Sequence, residues 1–239
     1  MERGLYIAAS GMVAEQARQD RVAADLANAS TPGYKPAVAP QESFGSLLLE
    51  RTGDGSVVGS LDEGVAASTP VVELAEGPLK ETDEPLDLAI AGAGFFAVQT
   101  SAGTRYTRNG QLTLDGHRRL VTSTGDAVLN DAGRPVTLPA GTPDIAADGT
   151  ISVGGKRVAK LAVLSVDVTS SLGSGLYAGK AKGTATGALR QGYLEGSGAD
   201  PMTAMVDMIE SMRAYEAGQR VIHAIDESLG KGVTVGGVS

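Results

Sequence analysis

The residues that could perform chemistry are few and scattered along the chain. The sequence contains no cysteine, which excludes disulfides, thiol catalysis and cysteine-ligated metals. Its two histidines, His117 and His223, share no motif with spaced carboxylates, so a packed or solvated imidazole is the simpler interpretation than a metal ligand. Asp83, Glu84 and Asp87 could hold a cation weakly, but we favour a solvated acidic loop.

Two glycine patterns resemble ligand-binding loops, and each lacks an essential part. Gly92-Ala-Gly94 resembles the start of a dinucleotide loop, but a strand-like Phe-Phe-Ala-Val follows where the mechanism requires a helix. Gly179-Lys180 lacks the earlier glycine and the following Ser or Thr of a phosphate loop. No G-x-S-x-G elbow of a hydrolase occurs. We therefore predict no catalytic site, no cofactor and no metal, and a protein that is not an enzyme.

Composition limits the class of protein further. The 239 residues carry a net charge of −8, which argues against a nucleic-acid-binding surface. No apolar run approaches the length of a membrane span, so membrane insertion is not expected. Residues 1–10 lack the features of a cleaved secretory signal. These signals alone would assign the chain to the cytoplasm, unless export uses no cleaved signal.

Both ends of the chain have the periodicity of amphipathic helices. Apolar residues between 2 and 29 recur three, four and seven apart, and the helix should end before Pro32. Asp200-Pro201 is a strong start signal for a second helix, and Gly230 is a natural stop. Gly218 interrupts this helix at a cost of roughly 1 kcal/mol relative to Ala. Neither apolar face has an obvious partner in the middle of the chain, so the helices should pair with each other or with further copies.

The middle of the chain reads as β structure. Residues 86–192 contain short apolar stretches separated by turn residues, a pattern typical of an antiparallel sandwich or barrel-like domain. Asn109-Gly110 and Asp115-Gly116 predict hairpin turns, because Gly accepts the positive φ that such turns need. Residues 36–85 are the least regular, with a candidate strand at residues 70–74.

We therefore expect an α+β protein in which paired terminal helices form a coiled-coil-like core beside a central, mostly antiparallel β domain. The expected boundaries are 1–36 and 195–230 for a discontinuous helical core domain, 37–69 for an irregular linker and 70–194 for the β domain.

Motifs at both ends and in the centre resemble the bacterial flagellar rod and hook protein family. Residues 25–35, Asp-Leu-Ala-Asn-Ala-Ser-Thr-Pro-Gly-Tyr-Lys, resemble the family's Asn-Leu-Ala-Asn stretch and the Thr-Pro-Gly-Tyr/Phe turn after it. Residues 205–217 resemble its C-terminal helix, and residues 94–98 and 106–110 resemble its first β hairpins. Residues 45–80 and 165–190 carry no resemblance. Ala24-Asp25 departs from the usual pair of Asn, and the Gly-rich tail is longer than usual.

The length of the chain favours a rod subunit over a hook subunit. Hook subunits resemble this pattern but add a large outer domain, and 239 residues are too few to include it. Residues 85–88 and 97–100 resemble the proximal-rod subunits of the family. Gln191-Gly-Tyr-Leu-Glu195 resembles the distal-rod subunits, so the sequence does not separate the two types.

The resemblance implies a structural subunit that polymerises through its terminal helices into the axial drive shaft and transmits torque from motor to hook. It implies export by the flagellar type III apparatus, without a cleaved signal peptide, to the flagellar basal body. The implied partners are further copies of the chain, other rod and hook subunits, the surrounding rings and the export apparatus. The alternative is a secreted, non-flagellar β-domain binding module that dimerises through its terminal helices.

The resemblance also implies roles for three sets of residues. The polymerisation interface is expected at Leu5, Met12, Leu26, Met205, Met212, Tyr215, Ile222 and Leu229. The family turn motif is expected at Asn28, Thr31, Pro32, Gly33 and Tyr34. An export-gate motif is expected at Phe44 and Leu48.

Overall fold

The chain forms two units, each assembled from separated stretches of sequence. A computed structural model describes residues 2–39, 41–43, 46–50, 57–62, 65–67 and 70–236. The helical unit comprises residues 1–26, 39–70 and 201–239, and the β unit comprises residues 27–38 and 71–200.

Two long helices dominate the helical unit. Helix α1 spans Glu2–Ala27 and ends ahead of Pro32, as the sequence predicted. Helix α2 spans Pro201–Gly236 and begins at the predicted proline. The predicted end at Gly230 is wrong, because α2 continues through that residue. Gly230 keeps a negative φ, and an ion pair of 2.8 Å between Lys231 and Glu227, one turn apart, supports the continued helix.

Short strands occupy part of the range 37–69, for which we expected an irregular linker. Strand β1 (Ala37–Val38) belongs to the β unit. In the helical unit, β2 (Gln41–Ser43) pairs with β5 (Val65–Ala67). Strand β3 (Ser46–Glu50) pairs with β4 (Val57–Asp62). Both pairings are antiparallel. No alternating apolar pattern predicts these short strands.

The β unit contains β1 and fifteen further strands, and every strand pairing in it is antiparallel. The strands are β6 (Val71–Val72), β7 (Leu79–Glu81), β8 (Leu88–Ala91), β9 (Phe95–Thr100), β10 (Gly103–Thr107), β11 (Leu112–Leu114), β12 (Leu120–Thr122), β13 (Ala127–Val128), β14 (Pro143–Ile145), β15 (Thr150–Val153), β16 (Lys156–Lys160), β17 (Val163–Gly173), β18 (Leu176–Thr184), β19 (Ala188–Gln191) and β20 (Tyr193–Glu195). Two terminal helices and a central antiparallel β region confirm the α+β fold class.

The main sheet has the strand order β10-β18-β17-β9-β13-β12-β11, and β9 also pairs with β10. Strands β10, β18, β17 and β9 therefore close on themselves. Smaller ladders flank this sheet: β14-β15-β16, β8 with β19, β7 with β20, and β1 with β6. Successive side chains of β9 point to opposite faces of the sheet. Phe96 and Val98 therefore pack in one apolar cluster, and Phe95 and Ala97 pack in another.

Asn109-Gly110 does not form the predicted hairpin turn. Strand β10 pairs with β9 and β18, whereas β11 pairs with β12, so this dipeptide only connects two ladders. The amide of Leu88 donates to the carbonyl of Gly110 at 3.0 Å, and a Cβ on Gly110 would lie 1.6 Å from the Leu88 carbonyl oxygen. The glycine permits a close backbone approach, which a local turn signal cannot distinguish from a hairpin.

Asp115-Gly116 does lie in a hairpin, between β11 and β12, but the loop covers residues 115–119. Arg118, not Gly116, holds the positive φ, at 57°. The Asp115 Oδ1 atom accepts from the amides of His117 and Arg119, both at 2.8 Å, and so organises the longer turn.

Candidate functional site

The β unit contains a buried charge junction that joins three distant parts of the sequence. The Lys35 Nζ atom lies 2.5 Å from Glu195 Oε1, and the Arg108 Nη1 atom lies 3.2 Å from Glu195 Oε2. The exposed fractions of the three residues are 1% for Lys35, 3% for Arg108 and 1% for Glu195. A single carboxylate therefore neutralises two buried cations only in part, so its loss would be costly. We call these three residues the charge junction.

Backbone groups complete the surroundings of Lys35 and Glu195. The Lys35 ammonium also donates to the carbonyl of Ala75. The amide of Gly77 donates to Glu195 Oε1 at 3.0 Å. Buried charges are tolerated when hydrogen bonds supplement the ion pair, and these contacts supply them.

Arg108 is held by a carbonyl and an aromatic ring. Its Nη1 atom donates to the carbonyl of Ile90 at 3.4 Å, and its guanidinium lies 5.2 Å from the centre of the Phe95 ring. The ring face attracts the cation, more strongly when water is excluded.

Tyr177 closes the junction against Lys35. The Lys35 amide donates to the Tyr177 hydroxyl at 2.8 Å, and the Tyr177 ring meets Phe95 edge-on at 5.7 Å. Burial raises the pKa of Tyr177 to about 12. The hydrogen bond from Lys35 opposes this rise and the negative charge of Glu195 adds to it.

The predicted turn motif leads directly into the charge junction. Gly33 has φ of 68°, and its amide donates to the carbonyl of Glu195 at 2.8 Å. A Cβ at Gly33 would lie 2.4 Å from the carbonyl carbon and oxygen of Arg108. The buried Tyr34 accepts from the amide of Gly198 through its carbonyl at 2.9 Å. The motif is thus positioned by the β unit rather than by a free turn.

The start of the turn motif has its own local support. The Thr31 hydroxyl donates to the Asn28 side-chain oxygen at 3.2 Å, and the Thr31 amide donates to the Asn28 carbonyl at 3.0 Å. Pro32, which follows, is partly buried.

In the helical unit, α1 and α2 pair in antiparallel orientation. The Ser211 hydroxyl donates to Glu15 Oε2 at 2.7 Å, and Arg18 Nη2 lies 3.1 Å from Asp207 Oδ1. Higher numbers on α1 thus meet lower numbers on α2. Glu15 interrupts the apolar face of α1, and both Glu15 and Arg18 meet polar partners across the helix pair. Such polar layers favour one register of a helix pair.

Gly218 is a contact glycine of this helix pair. A Cβ at Gly218 would lie 2.7 Å from Cγ of Met12 on α1. The glycine that weakens α2 by propensity therefore permits a close approach of the two helices.

The structure does not bring the eight residues of the predicted polymerisation interface onto one surface. Tyr215 and Ile222 are partly buried and share the helix face of Ser211 and Gly218, which meet α1. Met205 and Met212 are 51% and 53% exposed. Of the remaining four, Leu5 and Leu229 are exposed and Met12 and Leu26 are partly buried. The interface remains a prediction.

The described residues include only part of the predicted export-gate motif. Phe44 of the export-gate motif lies outside the described residues, and Leu48 lies in β3. Within the described ranges, no three His, Asp or Glu side chains are grouped so as to hold a metal ion. Neither helix, over its described length, is long and apolar enough to cross a membrane.

Sequence reasoning missed the charge junction, because its members are separated by more than seventy residues. A signal did exist: Lys35, Arg108 and Glu195 each lie in one of the motifs quoted for the family resemblance or for its distal type.

Three family models match the chain in sequence order. The flagella basal body rod protein model covers residues 5–35, and the flagellar hook protein FlgE/F/G D1 domain model covers residues 89–153. The flagellar basal body rod FlgEFG protein C-terminal model covers residues 190–235. Each matched range contributes one residue to the charge junction. This arrangement defines a flagellar axial protein.

Similar proteins specify the family. The chain is 34% identical to the flagellar basal-body rod protein FlgF of Caulobacter vibrioides over 229 residues, covering 91% of each chain. It is 33% identical to FlgF of Escherichia coli, covering 97% of each chain. It is 30% identical to FlgG of Bacillus subtilis, covering 96% of this chain and 97% of that protein. The chain belongs to the flagellar basal-body rod protein family, and the alternative of a non-flagellar binding module has no support.

Proposed function

We propose that this chain is a structural subunit of the flagellar basal-body rod that assembles through α1 and α2. The observation that carries this proposal is the exposed apolar surface of the helix pair. Val13 on α1 is 67% exposed, and Met202 and Ile209 on α2 are 72% and 52% exposed. Met202 and Ile209 are two turns apart on one side of α2, and a row of exposed apolar side chains marks a site of association.

The β unit suits a load-bearing role, because its ends are tied together internally. Strand β20 pairs with β7, and Glu195 at its end binds Lys35 from the first segment of the unit. A subunit with internally fastened ends resists shear, which is what transmission of torque from motor to hook demands. The proposed partners are further copies of this chain, other rod and hook subunits and the surrounding rings in the basal body.

Self-assembly is tested by comparing the full chain with residues 27–200, which retain the whole charge junction. Sedimentation and circular dichroism are measured as concentration rises. We expect the full chain to grow from monomers into filaments and the shorter chain to remain a folded monomer. A full chain that stays a compact monomer at every concentration would contradict the proposal.

We also propose that the chain reaches the basal body through the flagellar type III apparatus, unfolded and without a cleaved signal. The absence of cysteine suits passage between compartments of different redox state. Phe44 and Leu48 form the proposed export-gate motif, a short aromatic and apolar pair after the N-terminal helix.

The export proposal is tested with the double substitution Phe44→Ala and Leu48→Ala in a flagellated bacterium. We expect the exported fraction to fall sharply while the cytoplasmic level and thermal stability of the protein are retained. Leu172→Ala is the control, since Leu172 is 51% exposed in β17 and lies away from the motif in sequence. Unchanged export of the double variant would remove this motif from the proposal.

A further inference from the structure

A groove of about 450 Å³ runs along the α1–α2 pair, and small residues form much of its lining. They include Gly4, Ala8 and Gly11 of α1 and Gly218 of α2. A Cβ at Gly11 would have no heavy atom within 4 Å, so the groove is open at that point. Among its described lining residues, Glu15 alone is charged. We call this surface the helix groove.

Another side of α2 carries a row of five large apolar side chains, three of which are methionines. We call this row the methionine stripe; its members, with their exposed fractions, are Met202 (72%), Met205 (51%), Val206 (56%), Ile209 (52%) and Met212 (53%). At 3.6 residues per turn these positions share one side of the helix. The exposed Arg213 ends the stripe.

The groove and the stripe lie on opposite sides of α2. Both Gly218 and Val221 line the groove; around the helix axis, Gly218 is roughly half a turn from Ile209 and Val221 is roughly a third of a turn from it. A monomer therefore cannot fill its own groove with its own stripe, and both surfaces stay available to another molecule.

The two surfaces match in length, shape and charge. Gly4 to Glu15 and Met202 to Arg213 span the same number of residues, which corresponds to about 16 Å of helix. Methionine is unbranched and flexible, so it fits an irregular groove lined by small residues. Arg213 makes no ion pair within the described chain. Glu15, whose Oε2 atom accepts from the Ser211 hydroxyl, brings a negative charge to the corresponding end of the groove.

We infer that the helix groove of one copy receives the methionine stripe of a second copy, with Arg213 next to Glu15 and the incoming α2 parallel to α1. This inference rests on the proposed function, because it names the surfaces through which the rod subunit would bind its own kind. Since groove and stripe are different surfaces, the contact is head-to-tail and leaves one free groove and one free stripe at the ends of any oligomer. Contacts of that type propagate instead of closing into a dimer.

Two variants separate the surfaces. Gly11→Leu fills the groove at a position with open space, and Met205→Asp with Ile209→Asp breaks the stripe on an exposed face. Each variant alone should weaken self-association by roughly tenfold or more while keeping its helicity. Gly230→Leu is the matched control, because Gly230 is also helical with nothing within 4 Å of a Cβ, and it lies beyond both surfaces. It should assemble as the unchanged chain does.

A mixture of the two variants gives the sharper result. The groove-filled chain keeps its stripe and the stripe-broken chain keeps its groove, so an equimolar mixture should form 1:1 heterodimers and nothing larger by sedimentation. If the unchanged chain assembles and both variants assemble equally well, the contact inferred here is overturned and the proposed function stands. If the unchanged chain stays monomeric at every concentration, both are overturned.

A third variant tests the charge match. Arg213→Glu reverses an exposed charge that lies between Glu210 and Glu216 on α2, so it should lower stability only slightly, which thermal unfolding of the monomer checks. It should weaken assembly several-fold at low salt, and the difference should shrink as salt screens the charges. Equal assembly of Arg213→Glu and the unchanged chain at low salt would contradict the pairing with Glu15.

Discussion

Lys35 and Glu195 are separated by 160 residues in sequence, yet Nζ of one lies 2.5 Å from Oε1 of the other and both side chains are buried. Arg108 completes the junction from a third segment. Each partner alone would be an uncompensated buried charge, so the three segments hold their native positions together.

Removing the central carboxylate should be severe. Glu195→Gln leaves Lys35 and Arg108 buried without a counter-charge, and loss of one partner of a buried ion pair costs about 3–5 kcal/mol. Urea denaturation should show a fall of that size in the free energy of unfolding. Glu81→Gln is the control, because Glu81 is an exposed carboxylate that accepts from the Tyr193 hydroxyl, and it should change stability by about 0.5 kcal/mol or less. A Glu195→Gln protein as stable as the control would refute the structural role of the junction.

Gly33 should tolerate no side chain. Gly33→Ala combines a φ of 68° with a Cβ placed 2.4 Å from the Arg108 carbonyl. Gly133→Ala meets a similar φ of 71° with nothing within 4 Å, so it isolates the conformational cost of about 1–2 kcal/mol. Thermal or chemical unfolding should show a clearly larger loss at Gly33, and equal losses would mean that the close approach to Arg108 has no energetic consequence.

Gly218 should behave unlike an ordinary helix glycine. A Gly→Ala change in a helix interior usually raises the free energy of unfolding by up to about 1 kcal/mol. Gly230→Ala should do so, because no heavy atom lies within 4 Å of the Cβ that it adds. Gly218→Ala should instead be neutral or destabilising, since its Cβ would meet Met12 at 2.7 Å. A double-mutant cycle with Met12→Ala measures the clash; additivity of the two changes would show that the helices do not touch there.

Stability should fall at alkaline pH through Tyr177. Its pKa is raised to about 12 from an ordinary value of 10.0, so the fold favours the neutral phenol. The contribution of the neutral Tyr177 phenol to the free energy of unfolding is fully present below pH 10. It is lost as the pH rises from about 10 to 12, which lowers the free energy of unfolding by about 2–3 kcal/mol. Denaturation at several pH values should show Tyr177→Phe losing less stability over this window than the unchanged protein. Identical slopes would contradict the buried environment of the phenol.

The terminal helices were predictable because their signals are local. Pro32 ends the first, Asp200-Pro201 starts the second, and apolar periodicity marks both. The hairpin predicted at Asn109-Gly110 was wrong because its glycine answers to a distant contact: the backbone of Leu88 approaches too closely for a side chain. The helix end predicted at Gly230 was wrong because this glycine does not adopt the positive φ that ends a helix.

The charge junction lay beyond sequence reasoning, because no local pattern states that Lys35 and Glu195 meet. Their positions inside separate family motifs were visible, but the distance between them is a property of the folded β unit. Gly218 shows the same limit, since propensity alone marks it as a defect and only the partner helix explains it.

The position of Glu195 near the end of the β unit sets an order of events for a chain that emerges from its N-terminus. Lys35 appears early, but its counter-charge arrives only after strands β6 to β19 have been delivered. The β unit therefore cannot reach its final state from a partial chain, and its last buried ion pair forms only when nearly all of the sequence ahead of α2 is present.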